Sequence, residues 1–169
     1  MSIFNSEEDF DLCDKVWNAL SEHAINVDDC CGLERVVRLV WDSLGLIGNG
    51  GLHRLFEGDY PGDPGFVYTV AAYKRIGANA AYEALQDTFR LFPGGSMPTD
   101  LRARLQLLES VSVRKLEEIE SRYYDADSEI VTCLAQFIRE NENGYQALLN
   151  ERTSHQAPIH PHLDSRDAV

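Results

Sequence analysis

Apolar residues near the start of the chain recur with a helical period. Phe10, Cys13, Trp17, Leu20 and Ala24 fall at i, i+3, i+7, i+10 and i+14, while Glu7, Asp11, Asp14, Asn18 and Glu22 occupy another face. That spacing predicts an amphipathic helix over about 7–24, greasy on one side and anionic on the other. Ser6 is placed to cap it, with acids in the first turn facing the positive end of the helix dipole. A second stripe, Leu33, Val36, Val37, Val40, Trp41 and Leu44, predicts a helix with a wide apolar face, central to the fold, ending near Gly45 or Gly48.

The stretch IGNGGLHRLFEGDYPGD, residues 47–63, interrupts this pattern. Asn49 is expected to cap a short helix beginning near Gly50, with Leu52, Leu55 and Phe56 packing inward and the glycines permitting the turn. Beyond it, FVYTVAAYKRIGANAAYEALQDTFRLFPGG, residues 66–95, reads as two helices meeting at Gly77 and stopped by Pro93, Gly94 and Gly95. Further helices are expected over roughly 99–109, 111–124 and 128–142. The last carries the stripe Ile130, Leu134, Phe137 and Ile138, with Gly144 as its stop. No run alternates at period two. The pattern predicts an all-α fold: a single-domain bundle of about seven or eight helices over 1–152, with a flexible tail over 153–169.

Length and composition fit one domain with a substantial core, at 169 residues and 44% hydrophobic. The first residues lack the basic start and apolar run of a signal peptide, and no stretch reads as a membrane span, so a cytoplasmic location is expected. Cys13, Cys30, Cys31 and Cys133 form no C-x-x-C pair and are expected to be partly buried, reduced thiols.

Charge changes the picture most. A formal charge of −13 disfavours direct binding to nucleic acid or to anionic membranes. Residues 1–30 hold eight acids against one lysine, residues 57–65 three acids and no base, and residues 109–129 seven acids against three bases. Such concentration points to an acidic surface with a basic partner.

Chemistry finds little support. The glycine-rich stretch lacks the G-x-x-x-x-G-K-[ST] phosphate loop, and Asp59 and Asp63 are separated by Pro61 and Gly62 rather than set in a calcium loop. His53 precedes Glu57 by four residues, but no H-E-x-x-H motif is present. His155, His160 and His162 lie in a proline-containing tail without a metal-site frame. No G-x-S-x-G elbow occurs. The expectation is therefore a non-enzyme with no catalytic residues, no metal and no cofactor. An enzyme using Glu57 and Asp59 near His53 would require a concave pocket around those three.

Five segments in order, NGGLHRLF (49–56), AAYKRIGANAA (71–81), FPGGSMPTDLRAR (92–104), LEEIESRYYDADSEI (116–130) and FIREN (137–141), resemble the bacterial DNA-mimic protein 19-like family over about 49–141. The resemblance implies an all-helical, acidic, dimeric protein. The family takes its name from a member that presents carboxylates like DNA phosphates and so occupies a DNA-binding protein. The matching glycines, with Phe56, Ile76, Phe92, Pro93, Tyr123 and Tyr124, are expected to determine the fold rather than an activity.

Mimicry requires negative charge repeated at phosphate-like intervals. Helical neighbours three or four apart have Cβ atoms about 5–6 Å apart, whereas duplex DNA carries one charge per roughly 1.7 Å of axis. One helix is too sparse, and two acidic rows come closer. The first expected row is Glu7, Asp11, Asp14 and Glu22; the second is Glu117, Glu118, Glu120, Asp125, Asp127 and Glu129. The expected partner is a basic DNA-binding protein. The expected assembly is a homodimer joined through the apolar stripes carrying Trp17 and Trp41, with the acid rows repeated about its axis. The alternative is an immunity or antitoxin-like protein that neutralises a specific toxin through a few apolar anchors.

Overall fold

The computed structural model describes residues 8–21, 27–30 and 32–154 of the chain. Nine α-helices and no strand occur among the described residues: α1 (Asp9–Ser21), α2 (Gly32–Gly48), α3 (Gly51–Glu57), α4 (Val67–Ile76), α5 (Asn79–Phe89), α6 (Leu101–Leu108), α7 (Val113–Asp125), α8 (Asp127–Glu140) and α9 (Glu142–Ser154). Short 3-10 turns lie at Val27–Asp29 and Pro93–Gly95. The all-α reading holds, with one more helix than the upper expectation.

The extra helix is α9, and Gly144 is the reason it was missed. Gly144 does not stop α8; it lies inside α9, where a Cβ would come within 2.4 Å of Leu33 Cδ1. Glycine here allows α9 to approach the start of α2. Buried Tyr145 then donates its hydroxyl to the Leu33 carbonyl at 3.0 Å. Because α9 runs to Ser154, the helical part extends slightly past residue 152. Residues 155–169, which include the three tail histidines, lie outside the described residues, as do Ser6 and Ala24.

The second helix is central, as its wide stripe predicts: α2 packs against α1, α3, α4 and α9. Val36, Val37, Leu39, Val40 and Ile47 are buried along it. On α1 the buried face is Leu12, Cys13, Val16 and Leu20, rotated from the expected stripe. Phe10 is 59% exposed and Trp17 only half-buried. The rotation follows from α1 packing against both α2 and α8, so that its buried arc is set by two neighbours. Of the residues expected to determine the fold, Phe56, Ile76, Phe92 and Tyr123 are buried, and Tyr124 is partly exposed while donating to the Ile47 carbonyl at 2.9 Å. Pro93 is exposed at the turn after α5.

The glycine-rich stretch is a corner, with internal polar staples. Leu52, Leu55 and Phe56 are buried, as predicted. Asn49 does not cap α3; its side chain turns back and donates to the Gly45 carbonyl at 2.8 Å, closing the end of α2. Asp63 caps α4 instead. Its carboxylate accepts from the backbone N–H of Tyr68 at 3.1 Å, the backbone N–H of Thr69 at 2.6 Å and the Thr69 hydroxyl at 2.8 Å. Burial nevertheless raises its pKa, with these hydrogen bonds acting in the opposite direction.

Arg104 of α6 completes the corner from inside. Fully buried, it donates to the carbonyls of Phe56 at 2.8 Å, Gly58 at 2.7 Å, Pro64 at 2.7 Å and Pro98 at 2.9 Å. Its guanidinium lies over the Phe66 ring, 5.2 Å from the centroid. Phe66 itself holds a left-handed backbone, φ 56, which costs a non-glycine residue on the order of 1–2 kcal/mol. Packing against Phe56, Tyr60 and Arg104 holds it there. A buried hydroxyl chain ties α7, α4 and α2 together: Tyr123 Oη lies 2.5 Å from Tyr73 Oη, which lies 3.0 Å from Ser43 Oγ. Burial pushes the Tyr73 phenol up to about 12, with its hydrogen bonds to Ser43 and Tyr123 acting in the opposite direction.

Candidate acidic interface and its flanking grooves

Of the ten acids expected at an interface, Glu7 and Glu22 lie outside the described residues. Asp11, Glu117, Glu118, Asp125, Asp127 and Glu129 are exposed, and Asp14 and Glu120 are half-buried. Asp11 and Asp14 sit one turn apart on α1. Glu117, Glu118 and Glu120 lie along α7, Asp125 ends it, and Asp127 and Glu129 occupy the first turn of α8.

Packing brings the two rows together at one place. Antiparallel contact between α1 and α8 is marked by Arg139 Nη1 donating to Asp9 Oδ1 at 2.7 Å and by Cys13 Sγ lying 3.8 Å from the Val131 carbonyl. As a result Asp14 and Asp127, one from each row, line the same groove. That adjacency joins acids more than 110 positions apart in the chain.

Not every acid keeps its carboxylate for the outside. Glu118 pairs with Arg114 at 3.2 Å on the exposed side of α7, a contact worth little in solvent. Glu120 reaches across to α3: a Cβ on Gly51, whose φ is +73, would sit 2.1 Å from its Oε1. The carboxylate thus fills the space a side chain would take at residue 51, and it also raises the pKa of Tyr124 after burial does. Glu117 and Glu120 line a shallow groove with His53, Glu109 and Leu116. His53 Nδ1 lies 3.1 Å from Glu57 Oε1 with both side chains well exposed. Asp59 lines a different groove from His53, so these three do not converge on one cavity.

Asp59 belongs to a cavity of about 560 Å³ between α1, α2 and the corner, lined among others by Trp17, Trp41, Tyr60, Arg38 and Asp42. Asp42 accepts from Trp17 Nε1 at 2.7 Å and from Arg38 Nε at 3.3 Å. Burial raises its pKa, with Arg38 and then Trp17 opposing. Tyr60 is 8% exposed and its hydroxyl has no hydrogen-bond partner among the described residues. Burial raises the pKa of this phenol too.

A second cavity, of about 410 Å³, lies between α4, α5 and the turn after α5. It is lined by Val67, Val70, Phe89 and Met97, with Lys74 as its one charged residue among those described. No carboxylate is among its described lining residues.

Sequence reading missed Arg104, Asp63, Asp42 and Tyr60. Asp63 left no capping signal, because it stands four residues ahead of Val67 and the N-cap position is held by Phe66. Arg104 and Asp42 are set apart by nothing local, because their partners come from neighbouring elements: the carbonyls of Phe56, Gly58 and Pro64 for Arg104, and Trp17 of α1 for Asp42.

Cys13, Cys30 and Cys133 form no disulfide, and burial raises the Cys13 thiol to about 12. Among the described residues no group of three or more His, Cys, Asp or Glu is arranged to hold a metal, and no helix is long and apolar enough to cross a membrane.

No match was found among curated proteins or solved structures. A family model does match, and it covers residues 28–141, taking in α2 as well as the segments that carried the resemblance. With two thirds of its length in that match, the chain belongs to the DMP19-like protein family.

Proposed function

We propose that this protein is a non-enzymatic, cofactor-free interaction protein, a DNA mimic that binds a basic DNA-binding protein through rows of carboxylates and acts in the cytoplasm. The observation that carries the reading is that Asp14 and Asp127, one acid from each row, line one groove. Two adjoining rows approach phosphate spacing better than one helix can. Membership of the DMP19-like family agrees with it.

Many charges acting together make such binding salt-sensitive, because counterions screen beyond about 8 Å at physiological ionic strength. Capture from lysate at low salt should recover a basic DNA-binding protein that duplex DNA displaces and that added salt releases. Recovery of no basic protein, or binding indifferent to both salt and DNA, sinks the reading. Neutralising Glu117, Glu118, Asp125 and Glu129 together should weaken that capture by at least tenfold.

The assembly proposed is a twofold homodimer. The stripe carrying Trp17 and Trp41 is a poor place for two chains of −13 to meet, because Asp14, Asp42, Asp59 and Asp127 line the same grooves. The carboxylate-free face around Val67, Val70 and Phe89 meets the requirement better, with Val67 65% exposed. Light scattering should give twice the chain mass, with association strengthened by salt. A monomer at every salt concentration overturns the dimer and leaves one chain to supply the whole charge array.

A second reading, an immunity or antitoxin-like protein, is favoured by one observation, the aromatic groove at Trp17 and Trp41. It predicts that neutralising the acids leaves target binding largely intact.

A further inference from the structure

The cavity at Trp17 and Trp41 adjoins another, of about 360 Å³, that shares Trp41 and Gly45 with it and is lined also by Phe10, Gly48 and Asn49. The lining of the two along α2 runs from Arg38 to Asn49, a stretch called the trough. At 1.5 Å per residue that is roughly 17 Å, about three turns of a helix laid alongside. The trough has an aromatic lining, Phe10, Trp17, Trp41 and Tyr60. Phe10 and Trp41 stack with ring centroids 5.1 Å apart and Phe10 left 59% exposed. Among the described residues lining the two cavities, four carboxylates, Asp14, Asp42, Asp59 and Asp127, stand around these rings against the one guanidinium of Arg38.

Gly45 and Gly48 give the trough its shape. Neither has a left-handed φ, and a Cβ at either would meet nothing within 4 Å. Among the described residues no internal contact therefore requires glycine at these two exposed helix positions, where glycine is a poor helix former. What the missing side chains do is keep the floor low between the flanking aromatics, as close approach of another backbone needs.

We infer that this trough is a docking groove for a short cationic amphipathic helix of a partner protein, whose apolar side chains pack on Trp41, Trp17 and Phe10 while its lysines or arginines face Asp14, Asp59 and Asp127. Charge selects this occupant. A second copy of the chain would bring another set of acids against these four, whereas a basic helix meets them with opposite charge and lays cations near aromatic faces. The inference goes beyond mimicry, since it places an ordered apolar contact beside the acid rows. It stands if neutralising Glu117, Glu118, Asp125 and Glu129 has no effect on any partner.

The two tryptophans of the chain both line the trough, so intrinsic fluorescence reports its occupation. The probe is a synthetic helical peptide of about 14 residues, spanning the trough at 1.5 Å per residue, with leucines on one face and lysines on the rest. A second peptide has the same composition in an order that destroys the apolar face. The ordered peptide should shift and saturate the tryptophan emission, and bind at least tenfold more tightly than the scrambled one at physiological salt. Gly45→Leu should weaken the ordered peptide by at least tenfold while leaving the melting temperature unchanged or raised, because the new side chain enters open space. Gly48→Leu is the independent check at the far end of the trough. Equal binding of the two peptides, or undiminished binding to folded Gly45→Leu and Gly48→Leu proteins, overturns the proposal. So does a dimer that Gly45→Leu converts to monomer, which would assign the trough to a second copy.

Discussion

The corner at residues 58–66 and the outer side of α7 and α8 use charge in opposite ways. At the corner, Asp63 and Arg104 are buried and turned toward backbone groups: Asp63 accepts from the first turn of α4, and Arg104 donates to four carbonyls. On α7 and α8, Glu117, Asp125 and Glu129 are exposed and extend into solvent. Charge inside this protein is therefore structural, because an unpartnered buried ion is far too costly. Charge outside adds little to stability, so the proposed recognition can draw on it without cost to the fold. The contrast also says why an acidic composition alone does not identify a binding face: Asp63 is as acidic as Glu117, and only its surroundings differ.

The largest break in this comparison should come from Arg104→Leu, which leaves four carbonyls, that of Phe56 in the buried core and three partly buried, without their donor. Each such loss costs about 1–3 kcal/mol, so a destabilisation of about 4 kcal/mol or more is expected, read as a shift in the denaturant midpoint. A cost below about 1 kcal/mol would mean that the corner holds without it.

Next in size is Asp63→Ala, which removes the α4 cap together with its bond to Thr69. Hydrogen bonds to a charged group contribute about 1.5–3 kcal/mol, and a loss in that range is expected by thermal or chemical unfolding. Asp63→Asn should recover part of it, since the amide oxygen still accepts. Failure of Asn to do better than Ala would count against capping.

A smaller effect concerns pH. The Asp42 pKa is raised in the folded state by burial, so in the window above the usual carboxylate value of about 4 the folded protein holds a proton that the unfolded chain has released. Its contribution is fully present below that value and is lost as pH rises through the raised one. Asp42→Asn should flatten this part of the stability profile, measured as unfolding free energy against pH relative to wild type. Parallel profiles would show that the Trp17 and Arg38 contacts cancel the effect of burial.

Least of all should follow from neutralising the outer acids. Glu117→Gln, Glu118→Gln, Asp125→Asn and Glu129→Gln together are expected to leave stability within about 0.5 kcal/mol per site, with relief of repulsion favouring the variant at low salt. A loss of several kcal/mol would make these acids structural and erase the contrast with the corner.

Much of the fold was legible in the chain because helix periodicity is local. The stripe of α2, the meeting of two helices at Gly77 and the inward set Leu52, Leu55 and Phe56 needed no knowledge of distant residues. Gly144 shows where that logic stops. A glycine past an apolar run reads as a helix end, yet here it admits Leu33 and lets α9 close on α2. Asn49 reads as a cap for the helix after it and serves the helix before it.

By itself the sequence determined the all-helical class, the glycine-rich corner, the acidic balance and the family to which the chain belongs. Tertiary structure alone decided that Arg104 faces inward, that Asp14 and Asp127 line one groove, and that Trp17 and Trp41 line one cavity with Gly45. The physical reason is separation along the chain. Period and capping act over one or two turns, whereas a buried cation, a shared groove or a low floor exists only after helices distant in sequence have packed together.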